Sequence, residues 1–448
     1  MSVDRLRAQG IPIATPGDHE YDTWRATFNA LIDRRPALVA RCASSADVAA
    51  VIRHARESGL PVSVRGGGHS VAGHCIGDAA IVADLRGMRA VHVDAGKRVA
   101  IAGGGATWEE YDAATQAFGL ASTGGTFIDT GIGGLTLGGG IGYLQGTLGF
   151  AVDSLMAVEL VTADGEVVRA SEAENADLFW ALRGGGGNFG VVTTFEYRLH
   201  PVGDLYGGVL AYPTADAPRM LRLVRDLAAE APDELVLMAV LATNRQTGQE
   251  VAAVTVCFQG SASAGARAIA PLRETLRPVI DAVRPLSYTE MQATSAPLPF
   301  GLRHYWKGQF LSAFPDDLGD LALDAFRRRP APSLSMLLFE FIGGAPTRVP
   351  AASMAFNQRE ARFNVSALGV WTDPTQDSAQ VEWARRSASQ LTRGSSGASY
   401  VNYMTADEPS DRVRLAYGDA KFERLRQIKK RYDPGNIFRF NQNIMPAD

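Results

Sequence analysis

Cysteine is scarce in this chain of 448 residues: only Cys42, Cys75 and Cys257 occur. Thiols that are few, odd in number and widely spaced exclude a disulfide framework and point to a reducing compartment. Long apolar runs are missing as well. No window approaches the ~18 uninterrupted apolar residues of a membrane span, and the opening MSVDRLRAQGIPIATPGD lacks the apolar core of a signal peptide. A cytoplasmic location and no membrane partner are therefore expected. Charge of one sign is lacking too: the formal net charge is −4 and no basic run exceeds Lys429-Lys430-Arg431. That leaves no footprint for nucleic acid. Walker, His-x-x-x-His, Cys-x-x-Cys and G-x-S-x-G patterns are all absent, which removes the usual nucleotide-hydrolysing, metal-dependent and serine-hydrolase readings.

Glycine is what the chain has in quantity, 47 residues, and their placement is uneven. They cluster at 66–68, 103–105, 124–125, 131–142 and 184–187, then thin out past 210 to one adjacent pair, Gly343-Gly344. The first half therefore contains repeated close backbone approaches, and the second reads as regular sheet and helix. Together with a length beyond one ordinary core, this predicts two domains.

Helical spacing with a cap predicts a helix over 45–59, followed by a short strand that runs into the first glycine cluster. Thr107 and Glu110 stand in capping-box positions of a second helix, 107–119. A hairpin over 155–171 turns at Ala163-Asp164-Gly165. Later come apolar strands near 234–243, 250–260 and 333–344, a half-buried strand at 359–371, and helices over 215–232, 261–276 and 377–391. A tail helix stops at Asp433-Pro434-Gly435. A literal G-x-G-x-x-G spans Gly185 to Gly190, but it follows a helix and leads into a strand. A dinucleotide-binding Rossmann turn needs the reverse order, so that reading is set aside.

Two glycine stretches carry the functional reading. In Val64-Arg65-Gly66-Gly67-Gly68-His69-Ser70, a titratable ring follows a backbone cleared of side chains. Either this is a tight turn that ends in histidine, or something is held against that ring; His74 competes with His69 for the role. The run GGTFIDTGIGGLTLGGGIGYL, 124–144, is too glycine-rich for ordinary core. It is either a set of tight turns or a cradle of backbone N–H groups for a large anionic cofactor.

These runs, with NADLFWALRGGGGNFGVVTTFEYRLHPVG and the tail YVNYMTADEP…RLRQIKKRYDPGNIFRFNQNI, resemble the vanillyl-alcohol oxidase superfamily. The nearer resemblance is to its berberine-bridge-enzyme-like bacterial branch, over almost the whole chain. The resemblance implies an α+β fold. A two-part FAD-binding domain of the p-cresol methylhydroxylase (PCMH) type would span 1–205 and be completed by 405–448. An antiparallel-sheet substrate domain backed by helices would span 206–404.

It further implies FAD attached through its 8α-methyl to His69, with Arg65, Gly66, Gly67, Gly68 and Ser70 bracing the pyrophosphate loop. Thr130, Gly131, Gly134, Gly138, Gly139, Gly140, Gly142 and Tyr143 would border the cofactor, as would Gly190, Val192, Asn402 and Asn441. Phe127 stands where many relatives have a second, cysteinyl link, so one bond is expected. Thr130 would lie near the flavin's reactive edge and, being small, favours O2 as electron acceptor. Tyr403 maps to the base of several relatives, with Lys307 as the cation that could ionise it. Some plant relatives take a glutamate from the strand matching 361–371; this chain has no carboxylate between Phe363 and Trp371, so that mechanism is not expected. Asn364, Ser366 and Trp371 could line the pocket instead, and AFNQRE departs from the branch's usual Phe-Pro-His-Arg. The implied activity is oxidation of a small-molecule alcohol or amine, with peroxide formed. A dehydrogenase, or an oxygenating or cyclising enzyme on the same fold, is the alternative.

Overall fold

The computed structural model describes residues 3–245, 247–295, 297, 299–395 and 397–448. In the first half a four-stranded sheet runs in the order Ile13–Ala14, Leu38–Arg41, Ile81–Asp84, Val62–Arg65. The last three strands are parallel, and parallel neighbours need a crossover. Helix Ser45–Ser58 is the crossover from Leu38–Arg41 to Val62–Arg65, which flank Ile81–Asp84 in the sheet. Ser44 Oγ accepts the Asp47 N–H at 3.2 Å, Gly59 closes the helix at φ 66°, and Val48, Val51 and Ile52 are buried beneath. Strand Val62–Arg65 then delivers the chain directly into Gly66-Gly67-Gly68-His69.

Beside it lies an antiparallel five-stranded sheet: Val91–Asp94, Val99–Gly103, Val191–Arg198, Leu155–Val161, Val167–Ser171. The expected hairpin is its edge, with Val161 opposite Val167. Helix Trp108–Gln116 is fixed at its start by the Glu110 carboxylate, which accepts the Thr107 N–H at 3.0 Å.

The second half is built on an eight-stranded antiparallel sheet whose central order is Leu205–Pro213, Glu250–Gln259, Leu235–Thr243, Met336–Phe341, Phe363–Trp371, Arg303–Leu311. Successive side chains point to opposite faces. Leu237 and Phe339 meet helices Ala217–Ala229, Leu318–Arg327 and Asp377–Leu391 through Met220, Phe326 and Trp383. Val236, Met238 and Cys257 turn the other way and pack on Ile141 and Tyr143 of the long glycine run and on Phe150 just beyond it. The sheet thus roofs that run. The expected single helix over 261–276 is two pieces, Ala262–Ala268 and Ala270–Glu274, because Pro271 has no N–H to continue the ladder.

Helices Ser410–Tyr417 and Asp419–Tyr432 return to the first half, where Tyr417, Leu425 and Ile428 pack with Val158, Leu160 and Tyr197. Just beyond them Ile437 O accepts the Val62 N–H at 3.0 Å. Arg359 ties the two halves from the departed AFNQRE segment, with Nη1 2.9 Å and Nη2 2.5 Å from the buried Asp153 carboxylate. Among the described residues no helix is long and apolar enough to cross a membrane.

A second tie is Asp112, fully buried on the first-half helix, which accepts from Gln292 Nε2 at 2.7 Å. Burial pushes its carboxyl up to about 8. The folded chain thus holds a proton there that the unfolded chain releases near pH ~4, so this contribution to stability is fully present below that value. It declines as pH rises to about 8 and stays flat above. Asp112→Asn, which never ionises, is expected to melt higher than the parent at pH 8, by about 2 °C per kcal/mol recovered. The difference should vanish near pH 4 in a calorimetric pH series.

Candidate functional site

Both glycine stretches open onto one cavity of about 300 Å³. His69 and Ser70 line it from the first loop; Thr126, Phe127, Thr130, Gly131, Gly134 and Gly138 line it from the second. Gly185, Gly186, Gly187, Gly190 and Val192 form a third wall, with Asn402 and Tyr403, then Asn441 and Gln442, closing it. Among the described residues no Lys, Arg, Asp or Glu lines it. An anionic ligand there meets backbone N–H groups and neutral polar side chains.

The glycines divide by task. A Cβ on Gly67 would lie 2.3 Å from Gly131 N, so these two residues exist to let the first and second loops touch. Gly68 takes φ 78°, which turns the chain so that His69 faces inward. Gly138 makes room for the Asn402 side chain, whose Nδ2 donates to Leu135 O at 3.0 Å. Gly134 and Gly187 differ from all of these. Both line the cavity, neither has positive φ, and a Cβ on either would meet no protein atom within 4 Å. Nothing in the protein fills the space at these two positions of the cavity wall, which leaves room there for a ligand. The same cradle, neutral and amide-rich, suits the pyrophosphate and flat rings of FAD.

Several expected cofactor residues lie elsewhere. Gly139 and Gly140 give way to Phe356 and Ala151, and Gly142 gives way to the Gly124 carbonyl; none of the three reaches the cavity. Tyr143 is also absent from the wall: its hydroxyl is 2.7 Å from Ser295 Oγ, within the apolar core. Arg65 does not line the cavity but sits behind the loop, donating to Trp24 O at 2.5 Å beneath Gly68. Gly66 does line the wall and abuts the Gly104 carbonyl.

His74 reaches the cavity as well. Its Nε2 is 3.4 Å from Gln442 Oε1, and burial lowers its pKa to about 4. Cys75 lines the wall but is buried, its Sγ 3.8 Å from Gly68 O, with burial raising its pKa. The G-x-G-x-x-G run, set aside as a Rossmann turn, is preceded by helix Ala176–Leu182 and followed by strand Val191–Arg198. It is nonetheless part of the wall.

At the sheet end of the cavity, strand alternation decides which side chains enter. Trp306 lines it, but Lys307, the next residue, does not. Lys307 Nζ is held 2.6 Å from Glu408 and 3.3 Å from Asp407, so it is not the cation expected beside Tyr403. Nor do Asn364, Ser366 and Trp371 line the cavity; Trp371 belongs to the helix-backed core.

What stands beside Tyr403 is a carboxylate. Tyr403 Oη donates to Glu340 Oε1 at 3.0 Å, while Asn364 Nδ2, directly across the sheet, donates to Oε2 at 2.5 Å. Burial raises the Glu340 carboxyl to about 7, against the opposing pull of those two donors. Burial, then the neighbouring Glu340, pushes the Tyr403 phenol far above its ordinary value. The cation expected beside Tyr403 is therefore replaced by a carboxylate near neutrality, which disfavours ionisation of the phenol. Glutamate chemistry returns from the strand adjacent to the one searched. A lone carboxylate inside the apolar run Ser335-Met336-Leu337-Leu338-Phe339-Glu340-Phe341 was its signal in the sequence.

Comparison with known proteins places the chain in a family. The family described as "FAD binding domain" matches residues 36–171, and that described as "Berberine and berberine like" matches 399–445. The chain is similar to (R)-6-hydroxynicotine oxidase of Paenarthrobacter nicotinovorans, 34% identical with 98% of each chain covered. It is also similar to an FAD-linked oxidoreductase of Dictyostelium discoideum, 28% identical over 96% of this chain and 93% of the relative. Among solved structures, 6-hydroxy-D-nicotine oxidase of Arthrobacter nicotinovorans superposes with a TM-score of 0.88 at 29% identity, covering 98% of each chain. A berberine-bridge-enzyme-like protein of Physcomitrella patens shares the fold with a TM-score of 0.91 at 22% identity, covering all of both chains.

Proposed function

This chain belongs to the berberine-like FAD-linked oxidases, and from that premise we propose a single-histidine covalent flavoenzyme that oxidises a small-molecule alcohol or amine and passes the electrons to O2. FAD is its cofactor and the enzyme is an oxidoreductase. The proposal assigns the flavin to His69 and the proton chemistry to Tyr403 and Glu340. It keeps the division into a flavin part, 1–205 with 405–448, and a substrate part, 206–404, of which residues 1, 2, 246, 296, 298 and 396 lie outside the described structure.

The observation that carries it is that Tyr403, which lines the same cavity as His69, donates to Glu340. Bound FAD supplies the hydride acceptor and, through it, the route to dioxygen. The residues supply position and a proton path. Trp306 meets the Tyr403 ring edge-on, centroids 5.4 Å apart, and fixes the phenol. A substrate hydroxyl or amine hydrogen-bonded to Tyr403 Oη gives its proton to that oxygen while the phenolic proton moves to Glu340 Oε1. Asn364 keeps the other carboxylate oxygen in place. Two neutral groups and one carboxylate suffice, so no tyrosinate forms.

The test is anaerobic mixing with a panel of small alcohols and amines, followed by air. Substrate is expected to bleach the flavin, and air to restore its colour with one peroxide per turnover. A flavin that stays bleached in air makes the enzyme a dehydrogenase, and label from O2 in the product makes it an oxygenating enzyme; either result overturns the oxidase assignment.

A further inference from the structure

Asp129 has no part in the chemistry described so far, yet it is the carboxylate nearest the proposed attachment residue. His69 Nε2 lies 3.1 Å from Asp129 Oδ2, outside the angle of a formed hydrogen bond, and that nitrogen and Asp129 Oδ1 are both buried without a hydrogen-bond partner. A pair placed so closely, each with an unmet hydrogen bond, is set to share a proton.

The surroundings hold both members rigidly. Gly67 and Gly131 lock the histidine loop onto the aspartate loop, backbone to backbone. Within the second loop Thr130 N–H donates to Phe127 O at 3.2 Å, and Glu109 N–H donates to Ile128 O at 2.8 Å. Phe28 stacks on the His69 ring, centroids 4.5 Å apart and 18° between planes, and is backed by His304 at 4.2 Å. Phe28 N–H donates to Gly68 O at 3.3 Å, while the next residue, Asn29, donates to Val71 O and His304 O. The imidazole is clamped flat, with one nitrogen turned to a carboxylate.

We propose that Asp129 fixes the tautomer of His69 by holding the proton on Nε2, which leaves Nδ1 as the nucleophile that bonds the flavin, and that it stabilises the positive charge the ring gains as that bond forms. The nitrogen that carries the proton is set by what the other nitrogen faces, and a carboxylate behind an imidazole stabilises its cationic form in the same way as in acyl-transfer triads. This inference rests on His69 being the attachment residue. In the reaction one C–H bond of the 8α-methyl breaks and one C–N bond forms. The methyl proton and one imidazole proton leave, and the electron pair remains with the flavin until dioxygen takes it up, giving hydrogen peroxide. Asp129 is a positioning residue here, and it acts before turnover begins.

The experiment compares wild type with Asp129→Asn and Asp129→Glu, each produced flavin-poor, then incubated with FAD in air. Covalent attachment is followed by acid precipitation and peptide mass. In Asp129→Asn, FAD is expected to bind reversibly at one per chain while attachment slows 10-fold or more; Asp129→Glu should recover most of the rate. The midpoint potential of the flavin that does attach in Asp129→Asn should lie above that of wild type, because a negative charge beside the histidyl link is gone. Should Asp129→Asn fold poorly, Asp129→Ala takes its place: attachment slowed in Asp129→Ala and recovered in Asp129→Glu supports the inference, and attachment at the wild-type rate in Asp129→Ala overturns it. Attachment in Asn at the wild-type rate with unchanged potential overturns the role of Asp129 alone. Wild-type protein that releases all its flavin into acid overturns the attachment itself.

Discussion

Glu340→Gln is expected to lower kcat by about 10²–10⁴-fold, the usual range for loss of a positioned proton acceptor. Flavin binding should be left intact, since Glu340 does not line the cavity. Glutamine keeps the shape, can still accept from Tyr403 and can still meet Asn364, but it holds no further proton. The pH profile gives the sharper readout. Because burial places the Glu340 carboxyl at about 7, the ionised fraction, and kcat/KM with it, should fall about tenfold per unit as pH drops below that value. In Glu340→Gln that limb should disappear from whatever activity remains. Stability moves the other way. The folded chain holds a proton on Glu340 that the unfolded chain has already lost near pH ~4.3, so stability is highest below that pH. It declines as pH rises to about 7 and is level above. The variant should therefore melt higher than the parent at pH 8 while being far less active, the mark of a residue kept for function at a cost in stability. Tyr403→Phe should lose a similar part of kcat, and the double variant little more, because the two act on one proton.

His69→Ala is expected to take the covalently held flavin from close to one per chain to none. The cradle at Gly134 and Gly187, and the amide-rich walls, do not depend on that side chain. Reversible FAD binding should therefore persist, and dialysis against fresh FAD should restore the colour. The reversibly bound flavin is expected to be a weaker oxidant, so reduction by substrate slows more than substrate binding weakens. His74→Ala provides the control. His74 faces Gln442 with its pKa lowered by burial to about 4, and its loss should leave attachment unchanged.

Much of this architecture was legible in the sequence because local rules decided it. Ser44 and Gly59 bracket their helix, the Thr107–Glu110 pair marks another, and the Ala163-Asp164-Gly165 turn closes the hairpin. Each is a short-range signal that tertiary structure did not override. The split at Ile269 escaped because the helical pattern over 261–276 continues across Pro271, which interrupts the backbone ladder without breaking the pattern. At the site, composition could find glycine-rich backbone but not assign its tasks. Gly139, Gly140 and Gly142 look like Gly134 and Gly138 on paper, yet the first three make room for packing against Phe356, Ala151 and Gly124. Only their neighbours in space distinguish them.

Lys307 and Glu340 illustrate the same limit on strands. Moving one residue along a strand reverses the face, so Trp306 enters the cavity and Lys307 leaves it. Glu340 meets Tyr403 only because the strand Met336–Phe341 pairs with Phe363–Trp371 in the register that sets Glu340 opposite Asn364. That pairing is long-range and carries no mark in either segment alone. The Asp129–His69 contact likewise depends on two glycines, Gly67 and Gly131, from loops more than sixty residues apart.

The attachment of flavin to the histidine of the first loop is tested most directly by tryptic digestion of acid-denatured protein. Cleavage after Arg65 and Arg86 yields one peptide, 66–86, that contains both His69 and His74, and fragment-ion sequencing separates them. The expected result is this peptide heavier by one FAD less two hydrogens, with the added mass on His69. An unmodified peptide with all flavin free in the acid supernatant, or the added mass on His74, would contradict it.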